Sequence, residues 1–129
     1  MVNFIHICSD EYMIKVNEND LGYIRGNIFE SSYYTYEVDD LEAIVNFVRN
    51  RDPLFTRFYQ EPVSFMKCVY FYKVILFNSP VGIIRHVPPF YLYLHSKRQY
   101  NIENLCKILN FMKNVFPAKI DFHWNRIGF

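Results

Sequence analysis

At 129 residues, 51% of them hydrophobic, the chain is long enough to bury one core and too apolar to remain disordered. No apolar run approaches the ~20 residues of a membrane-crossing helix, and Met1–Tyr12 lacks the basic-then-apolar order of a secretory signal. The net charge of +1 conceals a split: nine acidic residues in Met1–Val45 face only Lys15 and Arg25, a net of −7, whereas the remainder carries twelve basic against four acidic residues, a net of +8. A split of this kind steers a charged ligand to one face or favours head-to-tail self-association through the acidic and basic halves.

Cys8, Cys68 and Cys106 are far apart, form no C-x-x-C pair and sit in apolar patterns. Buried, reduced thiols in a cytoplasmic protein are the expectation. The aromatic share of 19% suits pleated, half-buried strand surfaces.

Taken in order, Asn3–Ser9 and Glu11–Val16 read as strands, Asn17–Asp20 as a turn, and Gly22–Phe29 as a strand that Gly26 weakens. After a break at Glu30–Ser32, Tyr33–Val38 resumes the pattern, so residues 1–38 read as a small antiparallel meander. Asp39 followed by Glu42 has the spacing of a capping box, and Leu41, Ile44, Val45 and Val48 recur at helical intervals. Asp52-Pro53 opens a short second helix over Pro53–Gln60 that Pro62 stops. Val69–Phe77, apolar on both faces apart from Lys73, is expected inside the sheet. Asn78-Ser79-Pro80 turns the chain into Val81–Val87, and Pro88-Pro89 separates that strand from Phe90–His95. Ser96–Asn101 reads as a polar loop. Asn101 caps a helix striped by Ile102, Leu105, Leu109, Met112 and Phe116, and Lys119–Trp124 is the closing strand. No internal repeat is apparent. The order describes a single α+β domain, a mixed and mostly antiparallel sheet with two main helices packed on it, divided into a meander (1–38) and a helix–strands–helix–strand unit (39–129).

Strong catalytic motifs are missing. His6, His86, His95 and His123 lack the close spacing of zinc ligands, so no metal is expected, and no Ser or Cys stands in a nucleophile elbow.

From Tyr34 to Asn125 the order of elements resembles the GCN5-related N-acetyltransferase (GNAT) fold. The likeness rests on YTYEVDDLEAIVNFV as opening strand and helix, on the hairpin with Val81-Gly82-Ile83-Ile84, and on the strand–loop–helix from Phe90 to Phe116. It implies transfer of an acyl group from acetyl-CoA, or another acyl-CoA, to an amine, or else a degenerate member without catalysis. Leu92 and Leu94 would lie on the strand that holds the pantetheine arm. Ser96, Lys97, Arg98, Gln99, Tyr100 and Asn101 would form the pyrophosphate loop at a helix N-terminus. Glu37, His86 and His95 would be the candidates for the base that deprotonates the amine. The cofactor cleft of such a fold needs the sheet to splay between Phe90–His95 and Lys119–Trp124.

The second class is a binding module. Arg49, Arg51, Arg57, Lys67, Lys97 and Arg98, interleaved with aromatics, suit a nucleic-acid backbone, but a pI near 7.7 places nucleic acid behind a protein partner. Compact, aromatic-rich chains of this composition are similar to small phage or mobile-element proteins that inhibit a host protein by binding it. No membrane partner is expected.

Overall fold

The computed structural model describes residues 2–32, 35–51, 63–95 and 98–116. Strands β1 (Val2–Cys8), β2 (Glu11–Val16), β3 (Asn19–Arg25) and β4 (Ile28–Ser31) form an antiparallel meander, followed by short β5 (Thr35–Tyr36) and helix α1 (Val38–Arg51). The same series then recurs: β6 (Val63–Lys67), β7 (Phe71–Leu76), β8 (Ser79–Arg85), β9 (Tyr91–Leu94), short β10 (Gln99–Asn101) and α2 (Ile102–Val115). The fold class is α+β: among the described residues, two helices pack on two antiparallel sheets.

The strand order exposes a feature that the sequence reading missed. The first sheet runs β1-β2-β3-β4-β10 and the second β5-β9-β8-β7-β6. Each half of the chain contributes four strands to its own sheet and a fifth to the other half's sheet. The chain is an internal duplication with exchanged strands. One constant offset relates Tyr12 to Tyr72, Gly22 to Gly82, Ile24 to Ile84 and Arg25 to Arg85. A slightly longer offset relates Tyr36 to Tyr100, Leu41 to Leu105, Ile44 to Ile108 and Phe47 to Phe111. Packing repeats with the sequence. Phe47 stacks on Phe4 at 3.9 Å with Tyr12 edge-on at 4.9 Å, and Phe111 stacks on Phe65 at 3.9 Å with Tyr72 edge-on at 4.9 Å.

Both halves carry the same β-bulge. Ile14 pairs with Gly22 while Lys15 pairs with Asp20, leaving Leu21 as the extra residue; Val74 pairs with Gly82 while Ile75 pairs with Pro80, leaving Val81. A bulge leaves its carbonyl outside the regular ladder. The Leu21 carbonyl accepts from the Ser32 N–H at 3.2 Å and from the Tyr36 hydroxyl at 2.7 Å. The Val81 carbonyl accepts from the His95 N–H at 2.9 Å and from the Tyr100 hydroxyl at 3.5 Å. Tyr36 stands in the second sheet and Tyr100 in the first, so each exchanged strand is tied back to its own half. Burial raises the Tyr100 pKa well above the ordinary phenol value and keeps that donor protonated.

One core receives the inner faces of both sheets and both helices, with Leu41, Ile44, Ile84, Leu92, Leu105 and Met112 at 0% exposure. The helices lie against each other with opposite ends joined. Arg49 near the end of α1 bonds Glu103 in the first turn of α2 at 2.8 Å, and Lys113 near the end of α2 bonds Glu42 in α1 at 2.7 Å. Each cation sits at a helix C-terminus and each carboxylate toward an N-terminus, as the helix dipoles favour. As partly exposed pairs they orient the helices more than they stabilise them.

Several boundaries differ from expectation. Gly22–Phe29 is not one strand, because Gly26 at φ +61° turns the chain between β3 and β4. Strand β6 went unread between the prolines and the apolar run that follows. Val69 and Tyr70 lie outside β7 and are 77% and 60% exposed. The helix α1 begins at Val38, where the Glu37 N–H donates to the Asp40 carboxylate; Glu42, expected to complete the capping box, holds Lys113 instead. Cys8 is exposed at the end of edge strand β1, and Cys68 and Cys106 are half-buried, so the thiols are free but not core residues. The short helix Pro53–Gln60 and the closing strand Lys119–Trp124 lie outside the described residues.

The turn between β7 and β8 is Phe77-Asn78, with φ +52° and +63°. The equivalent turn of the first half places Asn17 where Phe77 stands. Asparagine tolerates the left-handed region, whereas a bulky ring there is strained. Phe77→Asn is therefore expected to stabilise the protein by about 1 kcal/mol, read as a higher denaturation midpoint in urea.

Candidate functional site

Strand alternation sends one face of each sheet to the core and the other outward. On the outer face of the second sheet the register aligns two rows across β7, β8 and β9. Phe71 faces Arg85 and Arg85 faces Tyr91; two residues along, Lys73 faces Ile83 and Ile83 faces Tyr93. Met66 extends the second row on β6 and Thr35 on β5. Lys73, Met66 and Thr35 are exposed, and Phe71, Ile83, Arg85, Tyr91 and Tyr93 are half-buried. Tyr93 also meets the His95 ring edge-on at 6.1 Å.

The equivalent face of the first sheet has a different electrostatic character. Its rows are Glu11–Arg25–Ile28 and Met13–Tyr23–Glu30. Arg25 is paired with Glu11 at 3.2 Å and Lys15 with Asp20 at 3.4 Å. Desolvation and the neighbouring Glu11 carboxylate raise the Tyr23 phenol above its ordinary value. In the second half, the position of Glu11 is taken by Phe71, that of Asp20 by Pro80 and that of Glu30 by Tyr93, and no Asp or Glu occurs anywhere from Pro62 to Ile102. Two scaffolds of equivalent register thus present one charge-paired face and one cationic, aromatic face.

The residues implied by the acetyltransferase resemblance are distributed otherwise. Leu92 and Leu94 are fully buried with their side chains in the core, and β9 is laddered on both sides, to β8 and to β5. The segment expected to be a phosphate loop ends as β10, which pairs with β4. Ser31, fully buried, binds it: the Ser31 N–H donates to the Arg98 carbonyl at 3.1 Å, the Arg98 N–H donates to Ser31 Oγ at 3.4 Å, and Ser31 Oγ donates to the His95 carbonyl at 2.5 Å. The Ile102 N–H donates to Asn27 at 3.0 Å, and the Asn104 N–H is capped by Asn101 Oδ1 at 2.9 Å. Tyr100 and Asn101 are buried and Gln99 is exposed. Ser96 and Lys97 lie outside the described residues.

Glu37, His86 and His95 do not converge. Arg85 pairs with Tyr91 at the start of β9, so His86 follows at that end, whereas His95 follows the other end, about 15 Å along the strand direction. Glu37 follows β5 at the His86 end of β9, but with β9 between them. His86 Nε2 is buried without a hydrogen-bond partner among the described residues. A cleft of about 570 Å³ opens beside the N-terminus of α1, and Glu37, Asp39 and Asp40 line it, the wrong sign for a pyrophosphate.

No family model, curated protein or solved structure matches this chain. Its chemistry has to be read from its own residues. Among the described residues, no three His, Cys, Asp or Glu side chains come together as a metal site, and no helix is long and apolar enough to cross a membrane. The cationic face could have been found from the sequence by one signal, the acid-free run from Pro62 to Ile102.

Proposed function

We propose that this protein is a non-catalytic binding module that holds an acidic partner on the outer face of its second sheet. The supporting observation is the loss of carboxylates from one of two equivalent faces. Arg25 has Glu11 as its cross-strand neighbour, and Arg85 has Phe71 in the same place. The Arg85 guanidinium donates to the Pro88 carbonyl at 3.1 Å but has no carboxylate as its cross-strand neighbour, and such a cation gains more from an incoming anion than one already neutralised. Acyl transfer from acyl-CoA is the second reading. It needs free backbone amides around residues 98–102 and a base beside a bound thioester, and no described distance favours it.

The test is retention on immobilised poly-L-glutamate at low salt. The full chain is expected to be retained and released by salt, with Lys73→Glu released earlier and Lys15→Glu, on the first sheet, unchanged. Acetyl-CoA titrated to millimolar concentration is expected to give no heat. Heat that Arg98→Glu abolishes, or passage through the column without retention, would reverse the choice between the two readings or remove the first.

A further inference from the structure

We infer that the acidic partner is single-stranded nucleic acid, held by cation–aromatic rows of the second sheet; this rests on the binding reading above. Two kinds of group are interleaved on the face. Lys73 and Arg85 supply positive charge, and Phe71, Tyr91 and Tyr93 supply ring faces, with each row containing one cation and at least one aromatic residue. Tyr91 and Tyr93 are on the same side of β9, about 7 Å apart, far enough for each to take a separate base. Neighbouring strands bring Arg85 and Ile83 to about 5 Å from those tyrosines, so charge and stacking surface are within one nucleotide of each other.

That combination discriminates among polyanions. A duplex hides its base faces in its own stack and would use only the cations. An acidic peptide would likewise pair with Lys73 and Arg85 but carries few flat groups to lay on the rings. A single strand offers phosphates and unstacked bases together, and every base has a π-face, so recognition of this kind tolerates sequence. The first sheet excludes itself, because Glu11 and Glu30 stand where Phe71 and Tyr93 stand in the second. The near-neutral pI of the whole chain averages these two faces and conceals the cationic one.

The experiment is fluorescence anisotropy of a short fluorescein-labelled oligothymidylate titrated with the full chain at low salt. Saturable binding is expected, weakening with salt at a log–log slope of about −1.5 for two neutralised phosphates. Tyr93→Ala and Lys73→Glu should each weaken it roughly tenfold. Tyr93→Phe, which keeps the ring, and Tyr23→Ala, on the opposite sheet, should leave it unchanged. Thermal melts of each variant separate lost binding from lost folding. Preference for a duplex of the same length, or indifference to Tyr93→Ala in a folded variant, overturns the nucleic-acid inference. If poly-L-glutamate is bound through Lys73 while the oligonucleotide is not, the inference falls and the acidic-partner reading stands. Binding of neither removes both.

Discussion

Gly82→Ala is expected to destabilise the protein by about 3 kcal/mol, at the upper end of what overpacking costs. A Cβ at Gly82 would overlap the Tyr93 carbonyl oxygen on the neighbouring strand and press on the Leu94 side chain. The first obstacle is backbone, so no rotamer change relieves it; β8 and β9 must separate where Gly82 pairs with Leu94. Gly22→Ala meets the equivalent obstacle, the Glu30 carbonyl oxygen at 2.5 Å, together with the Phe29 ring. Both glycines adjoin the bulges at Leu21 and Val81, where the strand bends inward and its neighbour comes close. Urea denaturation of each variant checks the expectation. A loss below about 1 kcal/mol at Gly82 would mean that the β8–β9 ladder yields there without cost.

The contrast between these glycines and Gly26 shows how much of the fold could be read from the chain. Gly26 was legible as a weak point and proved to be a turn, because its positive φ is a local property of the residue. Gly22 and Gly82 were silent, because what they avoid lies across the sheet. The same division holds elsewhere. The Asn101 cap and the stripe of α2 are local and were read correctly, whereas the pairing of β10 with β4 depends on Ser31, far away in sequence. The duplication escaped notice because it conserves burial and a few anchor residues rather than a run of identities, and because its offset lengthens after the loop at Pro88-Pro89. The candidate site was visible only in part. Arg49, Arg51, Arg57, Lys67, Lys97 and Arg98 carried the basic signal, but the face depends on Lys73, Arg85, Tyr91 and Tyr93, which one side of a sheet gathers from three strands.

Exchange of the fifth strands makes each half an incomplete structure, and this has a large consequence for chains cut between Arg51 and Val63. Neither fragment is expected to fold alone. The N-terminal one would keep β1–β4 but lose β10, leaving the β4 edge unpaired, Tyr36 without the β9 ladder, and α1 without α2. The C-terminal one would lose β5 and the β4 strand that β10 ladders onto in the same way. Each would also expose the apolar inner face that the shared core buries, in a chain of a length at which one core is already marginal. Mixed in equal amounts, the fragments should recover the strand and helix signals in circular dichroism and melt cooperatively as a one-to-one complex. The recovery should depend on concentration, because the two halves meet as separate molecules. A cooperative, concentration-independent melt of either fragment by itself would show that the exchanged strands decorate two self-sufficient sheets, and the fold would then be a tandem pair rather than one interlocked domain.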